Sequence, residues 1–145
     1  MTKKKLRYYL AHPIIKRQYI REQELIFEKN TRIVLINPFY DGYERIDVVE
    51  IDKGLKKEWD TSLDYKRIVE TDLSSIDSTK GIIAYVERGI FSIGTSMEIW
   101  YAYTHKKVIY IVTPNCDTHP WLKYVVDKTN GKIVKSFKEL EEVFK

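Results

Sequence analysis

The chain of 145 residues holds one cysteine, Cys116, and three histidines. A lone thiol cannot close an internal disulfide, which argues against a secreted, disulfide-built scaffold. Cys and His this sparse and scattered do not make a zinc site, so neither a metal nor a cofactor is expected. No apolar run is long enough to span a membrane. The run near the N-terminus has a basic start but is cut short by His12-Pro13, too early for a signal peptide. There is no internal repeat and no low-complexity tract. Basic residues exceed acidic ones by only 25 to 21. Part of that excess sits in Lys3-Lys4-Lys5 and Arg7, which read as a solvated leader before the first strand. No stripe of Lys and Arg interleaved with aromatics follows, so no nucleic-acid partner is expected. A mild positive field favours an anionic small molecule. What remains is a soluble, cytoplasmic protein with no membrane attachment.

What is present is ordinary for a globular protein: 43% hydrophobic and 32% charged residues, enough for one domain over residues 1–145. Leu6 to Leu10 reads as a strand ended by His12-Pro13. Ile14 to Glu28 reads as an amphipathic helix with Ile15, Tyr19, Ile20, Leu25 and Ile26 as its apolar positions. Arg32 to Ile36 is a second strand, stopped by Asn37-Pro38. The polar, aromatic stretch from Phe39 to Asp64 has a turn signal at Asp41-Gly42 and no assignable structure. Beyond it, Leu63 to Ile76 forms a helix and Gly81 to Val86 a buried strand. Helices follow over Thr95 to His105, His119 to Lys128 and Ser136 to Phe144, with strands over Val108 to Val112 and Gly131 to Val134. This alternation predicts an α/β fold, a doubly wound, flavodoxin- or Rossmann-like parallel sheet of about five strands in the order 2-1-3-4-5. Ligands of such sheets bind beyond the carboxyl ends of the strands where the order reverses. Here that point lies between the loops Ala11-His12-Pro13 and Glu87 to Gly94.

The second loop leads into the segment richest in chemistry, Ser92-Ile93-Gly94-Thr95-Ser96-Met97-Glu98. Unpaired N–H groups of a helix start, a glycine that admits a ligand to the backbone, and the hydroxyls of Ser92, Thr95 and Ser96 suit an anion. Glu98, placed in the first helical turn, stays ionised there as a nucleophile must; its bland alternative is a capping box with Thr95. Asp72, on the helix before the third strand, is the second carboxylate; alone it reads as a surface residue. Two carboxyl groups roughly 5 Å apart carry glycosyl transfer through a covalent intermediate, one as nucleophile and one as proton shuttle. Tyr8 or Tyr9 and His12 line a base or sugar, although His12 reads equally as loop packing. Arg17 and Arg21, one turn apart, read better as a solvated helix face than as phosphate ligands. Trp121 reads as core.

Asp72-Leu73, Ile76, the apolar strand, Gly94, Met97-Glu98 and Tyr101-Ala102 together resemble the nucleoside 2-deoxyribosyltransferase family. Tyr9-Leu10-Ala11-His12-Pro13 is similar to its first strand and substrate loop, and Asn37-Pro38-Phe39 to the end of its second strand. The resemblance implies that Glu98 attacks the anomeric carbon and that Asp72 assists departure of the base. Two positions depart from the pattern. Lys80 stands where the family often has an Asp. Ser92 stands six positions before Glu98, where free-nucleoside transferases tend to have an Asp and the related nucleoside 5′-monophosphate N-glycosidases a serine. The resemblance therefore implies a nucleoside or nucleotide substrate, with the monophosphate favoured, and a homo-oligomer. Exchange of bases between free 2′-deoxynucleosides and a nucleotide-binding module without turnover are the alternatives.

Overall fold

The computed structural model describes residues 5–41 and 65–145. The polar stretch, including its turn signal at Gly42 and the start of the next helix at Leu63, lies largely outside the described residues. Five strands, β1 (Leu6–Ala11), β2 (Ile33–Ile36), β3 (Gly81–Tyr85), β4 (Val108–Val112) and β5 (Lys132–Val134), form one parallel sheet in the order β2-β1-β3-β4-β5. This is the expected order. The helices are α1 (Arg17–Asn30, entered through a 3-10 turn at Ile14–Lys16), α2 (Tyr65–Asp77), α3 (Ile93–Thr104), α4 (Pro120–Lys128) and α5 (Phe137–Val143).

Strand alternation divides the core. Tyr8 and Leu10 face one side with Ile83, Tyr85 and Val112, covered by Ile20 and Phe27 of α1 and Phe137 and Leu140 of α5. Tyr9 and Ala11 face the other side with Ile82, Ala84, Ile109 and Ile111, covered by Ile76 of α2, Ile99 and Ala102 of α3, and Val125 and Val126 of α4. β3 is buried at every position because it is central and covered on both faces. Among the described residues no helix is long and apolar enough to cross a membrane.

Several local expectations are corrected. α1 turns only part of its apolar pattern inward: Ile15 just before it and Tyr19, Leu25 and Ile26 on it are exposed, while Arg17, Ile20, Glu24 and Phe27 are buried. Arg17 is thus buried rather than solvated. α3 begins at Ile93, two residues early, because Ser92 is its N-cap and accepts the Thr95 N–H. Glu98 consequently lies in the second turn, and Thr95 does not cap it. Trp121, expected in the core, is 67% exposed just inside α4, whose N-cap is His119.

Candidate active site

Parallel strands all end on one side, and the switch in strand order leaves the carboxyl ends of β1 and β3 uncrossed by a connection. A hollow of about 470 Å³ lies there, lined by Pro13 after β1, Val86 and Gly89 to Ser92 after β3, Thr95 and Ser96 in the first turn of α3, and His119. A second hollow, about 570 Å³, runs along the polar side of α2 from Lys66 to Ser78 and contains none of the expected site residues. The first is the better candidate because backbone geometry and the polar groups of Ser92, Thr95 and Ser96 converge on it.

Ser92 is held in place by its cap. Its Oγ accepts the Thr95 N–H at 3.2 Å and donates to Thr95 Oγ1 at 2.9 Å. Thr95 is buried, so its hydroxyl serves Ser92 from within the helix. A Cβ on Gly94 would meet no atom within 4 Å, so its backbone faces open space. The Arg88 N–H donates to Asn115 Oδ1 at 2.7 Å, tying the loop after β3 to the turn after β4.

Glu98 is half-buried on α3, and the Tyr9 hydroxyl donates to its Oε2. Tyr9 itself is fully buried. Alternation in β1 sends its ring toward α3, so the hydroxyl meets the carboxylate and not open solvent. Asp72 is half-buried on α2, one turn before the fully buried Ile76, so it sits on the side of α2 that turns inward. α2 packs against both β1 and α3. The far end of α2 is tied to α3 by Tyr101 Oη donating to Asp77 Oδ1 at 2.8 Å, and to the start of β4 by Lys107 Nζ donating to the Thr79 carbonyl at 2.7 Å.

His12 is buried just past β1. Its Nδ1 lies 3.0 Å from the Leu10 carbonyl, which only an N–H can satisfy, so the neutral ring carries its proton there. Burial pushes its pKa down to about 4, with the Leu10 hydrogen bond working the other way. Nε2 has no hydrogen-bond partner, and the ring stands edge-on to Phe39 at 4.9 Å. Arg17 donates to the Ile14 carbonyl at 2.7 Å, and Arg21 pairs with Glu24 at 2.7 Å. Among the described residues no group of three His, Cys, Asp or Glu could hold a metal ion.

Sequence reasoning missed the partnership of Tyr9 with Glu98 and the place of His119 in the hollow. The alternation of β1 separates Tyr8 from Tyr9, but only the packed fold shows which helix each ring meets. His119 preceding Pro120 carried a helix-start signal, though not its position at the switch point.

No protein-family model matches the chain, and no curated protein matches it by sequence. Solved structures do match. A conserved protein from Enterococcus faecalis is 16% identical with a TM-score of 0.68, covering 96% of each chain. A 2-deoxyribosyltransferase from Bacillus psychrosaccharolyticus is 12% identical with a TM-score of 0.65, over 93% of this chain and 90% of that one. The CMP N-glycosidase of Clostridium botulinum is 18% identical with a TM-score of 0.60, over 94% and 96%. The chain therefore has the fold of a 2-deoxyribosyltransferase and of a CMP N-glycosidase, the one expected from its resemblance to the nucleoside 2-deoxyribosyltransferase family.

Proposed function

We propose that this protein is a nucleoside 2-deoxyribosyltransferase-like enzyme that cleaves the N-glycosidic bond of a (deoxy)nucleoside 5′-monophosphate. Glu98 attacks the anomeric carbon as the C–N bond breaks, and the electron pair of that bond leaves with the base. Asp72 gives the departing base a proton. Water then attacks the glycosyl-enzyme, Asp72 takes its proton, and Glu98 is released as carboxylate. The observation that carries this reading is the carboxylate of Glu98, brought onto the Tyr9 hydroxyl of β1 by the helix whose N-cap and first turn, Ser92, Thr95 and Ser96, line the hollow. Donation from Tyr9 stabilises the charged form of Glu98 and orients it. Ser92, Gly94 and Thr95 form the phosphate end, where Ser92 swings its proton from Thr95 Oγ1 to the anion while its lone pair stays on the cap. His12 closes the inner wall behind Pro13. The fold shared with a CMP N-glycosidase supports this assignment. The fold shared with a 2-deoxyribosyltransferase keeps base exchange as the second reading, in which a free base replaces water.

The protein acts in the cytoplasm, as a homo-oligomer. Support for the oligomer comes from the outer face of α3 and α4. Met97, Trp100, Trp121 and Tyr124 are exposed there, and the rings of Trp100 and Trp121 lie 6.1 Å apart. An apolar patch of this kind marks an interaction surface, and light scattering on wild type and Trp121→Lys tests self-association.

The substrate test uses a panel of nucleosides and nucleotides, each with and without a second free base, with products separated by chromatography. Release of base from a monophosphate without added base is the expected result. Turnover only when a free base is supplied would install the transferase reading, and no turnover of any member would overturn both. Ser92→Ala then removes one hydrogen bond to a charged group, so kcat/KM for the monophosphate should fall about ten-fold to a hundred-fold. Any loss from the missing cap is common to all substrates, so the ratio of monophosphate to nucleoside is the quantity to read. An unchanged ratio would remove Ser92 from the phosphate site.

A further inference from the structure

Among the described residues, the most deeply buried carboxylate takes no part in the reaction above. Glu24 lies on the inward face of α1 with no exposed surface. Its oxygens accept from Arg21 Nη1 at 2.7 and 3.1 Å and from Asn37 Nδ2 at 3.2 and 3.4 Å. Asn37 is also fully buried and organises the turn that leaves β2. Its Oδ1 accepts the Phe39 N–H at 3.0 Å, its carbonyl accepts from Tyr40 and Asp41, and its own N–H donates to Asp41 Oδ2 at 2.8 Å. With Oδ1 committed to Phe39, the amide must turn Nδ2 toward Glu24, where a buried donor needs an acceptor. Phe39 meets the ring of His12, and the next residue, Pro13, walls the hollow. Arg21 lies over the Tyr40 ring at 5.0 Å. One carboxylate thus governs two grips on the same turn, Asn37 from within and Arg21 from outside.

We propose that Glu24 is a positioning residue: its charged form holds the turn of residues 37–41, and through Phe39 the His12-Pro13 wall, in the geometry that binds substrate. Both partners of Glu24 are donors and favour the carboxylate. A protonated carboxyl would exchange charge-assisted bonds for weaker neutral ones. Among the described residues, the other charged groups facing this cluster are Glu28 on α1, which accepts the Leu35 N–H at 3.0 Å, and Asp41 on the turn itself. Burial pushes Glu24 up to about 7, against the pull of Arg21 and Asn37, so its charge changes across the neutral range. An apolar residue at this position would avoid the cost of a buried charge, and packing alone gives no reason for a carboxylate here.

Glu24→Gln keeps the shape and removes the charge. Amide hydrogen exchange at Tyr40 and Asp41, compared between variant and wild type at the same pH, reads the turn directly. At about pH 8 these amides should exchange about tenfold faster in the variant, the scale of one hydrogen bond to a charged group, and KM should rise by a similar factor with kcat nearly unchanged. At about pH 5.5, where wild-type Glu24 is itself protonated, the two proteins should converge. Equal exchange in variant and wild type at about pH 8 would overturn the proposal. Wild type alone supplies a further readout: the amide resonances of residues 39–41 should shift as Glu24 titrates, with a midpoint raised above the usual carboxylate range by burial. The kinetic arm rests on the glycosidase reading. If no nucleoside or nucleotide is turned over, that reading falls while exchange and titration still decide the role of Glu24.

Discussion

Glu98 and Glu24 sit on opposite faces of the same sheet, each facing a donor contributed by or beside a strand. Glu98 meets the neutral hydroxyl of Tyr9 on β1. Glu24 meets the cation of Arg21 and the amide of Asn37, with no accessible surface left. A neutral phenol orients a carboxylate without cancelling its charge, whereas a half-exposed guanidinium offsets the charge of the buried Glu24. Under the two proposals above, the comparison sets a carboxylate placed to react beside one placed to hold. Residue type and helical location do not distinguish them, since both are helix glutamates beside the sheet.

The largest expected effect lies on the reactive side. Glu98→Ala and Glu98→Gln should both lower base release by a factor on the order of 10⁴ or more, as loss of a covalent nucleophile does. They should differ in stability. Alanine leaves the buried Tyr9 hydroxyl without this acceptor, at a cost of about 1–3 kcal/mol, while glutamine retains an acceptor. Chemical denaturation beside the assay measures both, and activity near wild type in either variant would end the nucleophile assignment.

Asp72→Asn should slow base departure by about 10² or more, the scale of a lost general acid. Part of that loss should return with a substrate whose base leaves more readily. Equal losses on good and poor leaving groups would make Asp72 a substrate-positioning residue.

Tyr9→Phe sharpens the comparison by removing the donor and keeping the ring. A fall in kcat of about ten-fold to a hundred-fold is expected from the lost hydrogen bond to a charged group. An unchanged kcat would mean that the hydroxyl does not orient Glu98.

The smallest effect is on stability against pH. Folding raises Glu24 from 4.5 to about 7, mainly by burial, so between these values the folded protein binds more protons than the unfolded chain and stability falls as pH rises. Folding lowers His12 from 6.5 to about 4, also mainly by burial, so between those values the unfolded chain binds more protons and stability rises with pH. The slopes oppose one another between 4.5 and 6.5. Urea titrations across this window should find a shallow profile in wild type, a rising one in Glu24→Gln and a falling one in His12→Phe. Three parallel profiles would show that neither group is linked to folding.

Much of the fold was legible because parallel strands read as apolar runs and helix starts announce themselves. Gly81 to Val86 gave β3, Ser136 marked the start of the last helix, where its side chain accepts the Glu139 N–H as N-cap, and the alternation gave the strand order. α1 misled because periodicity counts only apolar residues, and this helix buries an arginine and a glutamate in place of isoleucine and leucine. The pairing of Arg21, Glu24 and Asn37 needs β2 in position before it can satisfy them, so no local pattern carries it. A helix start after β3 was readable, and of the residues expected there Ser92 and Thr95 line the hollow. The two-residue error in that start nevertheless put Glu98 in the wrong turn. The macrodipole fades beyond the first turn, and the Tyr9 hydroxyl, 89 positions away in the chain, holds Glu98 there.

Tyr8 and Tyr9 are neighbours with the same side chain and opposite destinations. Tyr8 sits among aromatic rings, 5.3 Å from Phe144 and 5.9 Å from Tyr110, and burial followed by the Tyr110 interaction pushes its hydroxyl up to about 12. Tyr9 reaches Glu98. Their pairings, Tyr8 with Leu35 and Gly81 and Tyr9 with Ile36 and Ile82, fix which is which. Loss of one residue between Lys5 and Tyr8 could be absorbed by the leader. Loss of one residue between Tyr9 and His12 would force a choice: either the strand keeps its pairing, or the tyrosines exchange faces. In the second case the phenol of Tyr8 would face α3 in place of Tyr9, and the residues before the deletion would be out of step while His12 kept its place. The spelling of β1 therefore tolerates substitution better than it tolerates a change of length.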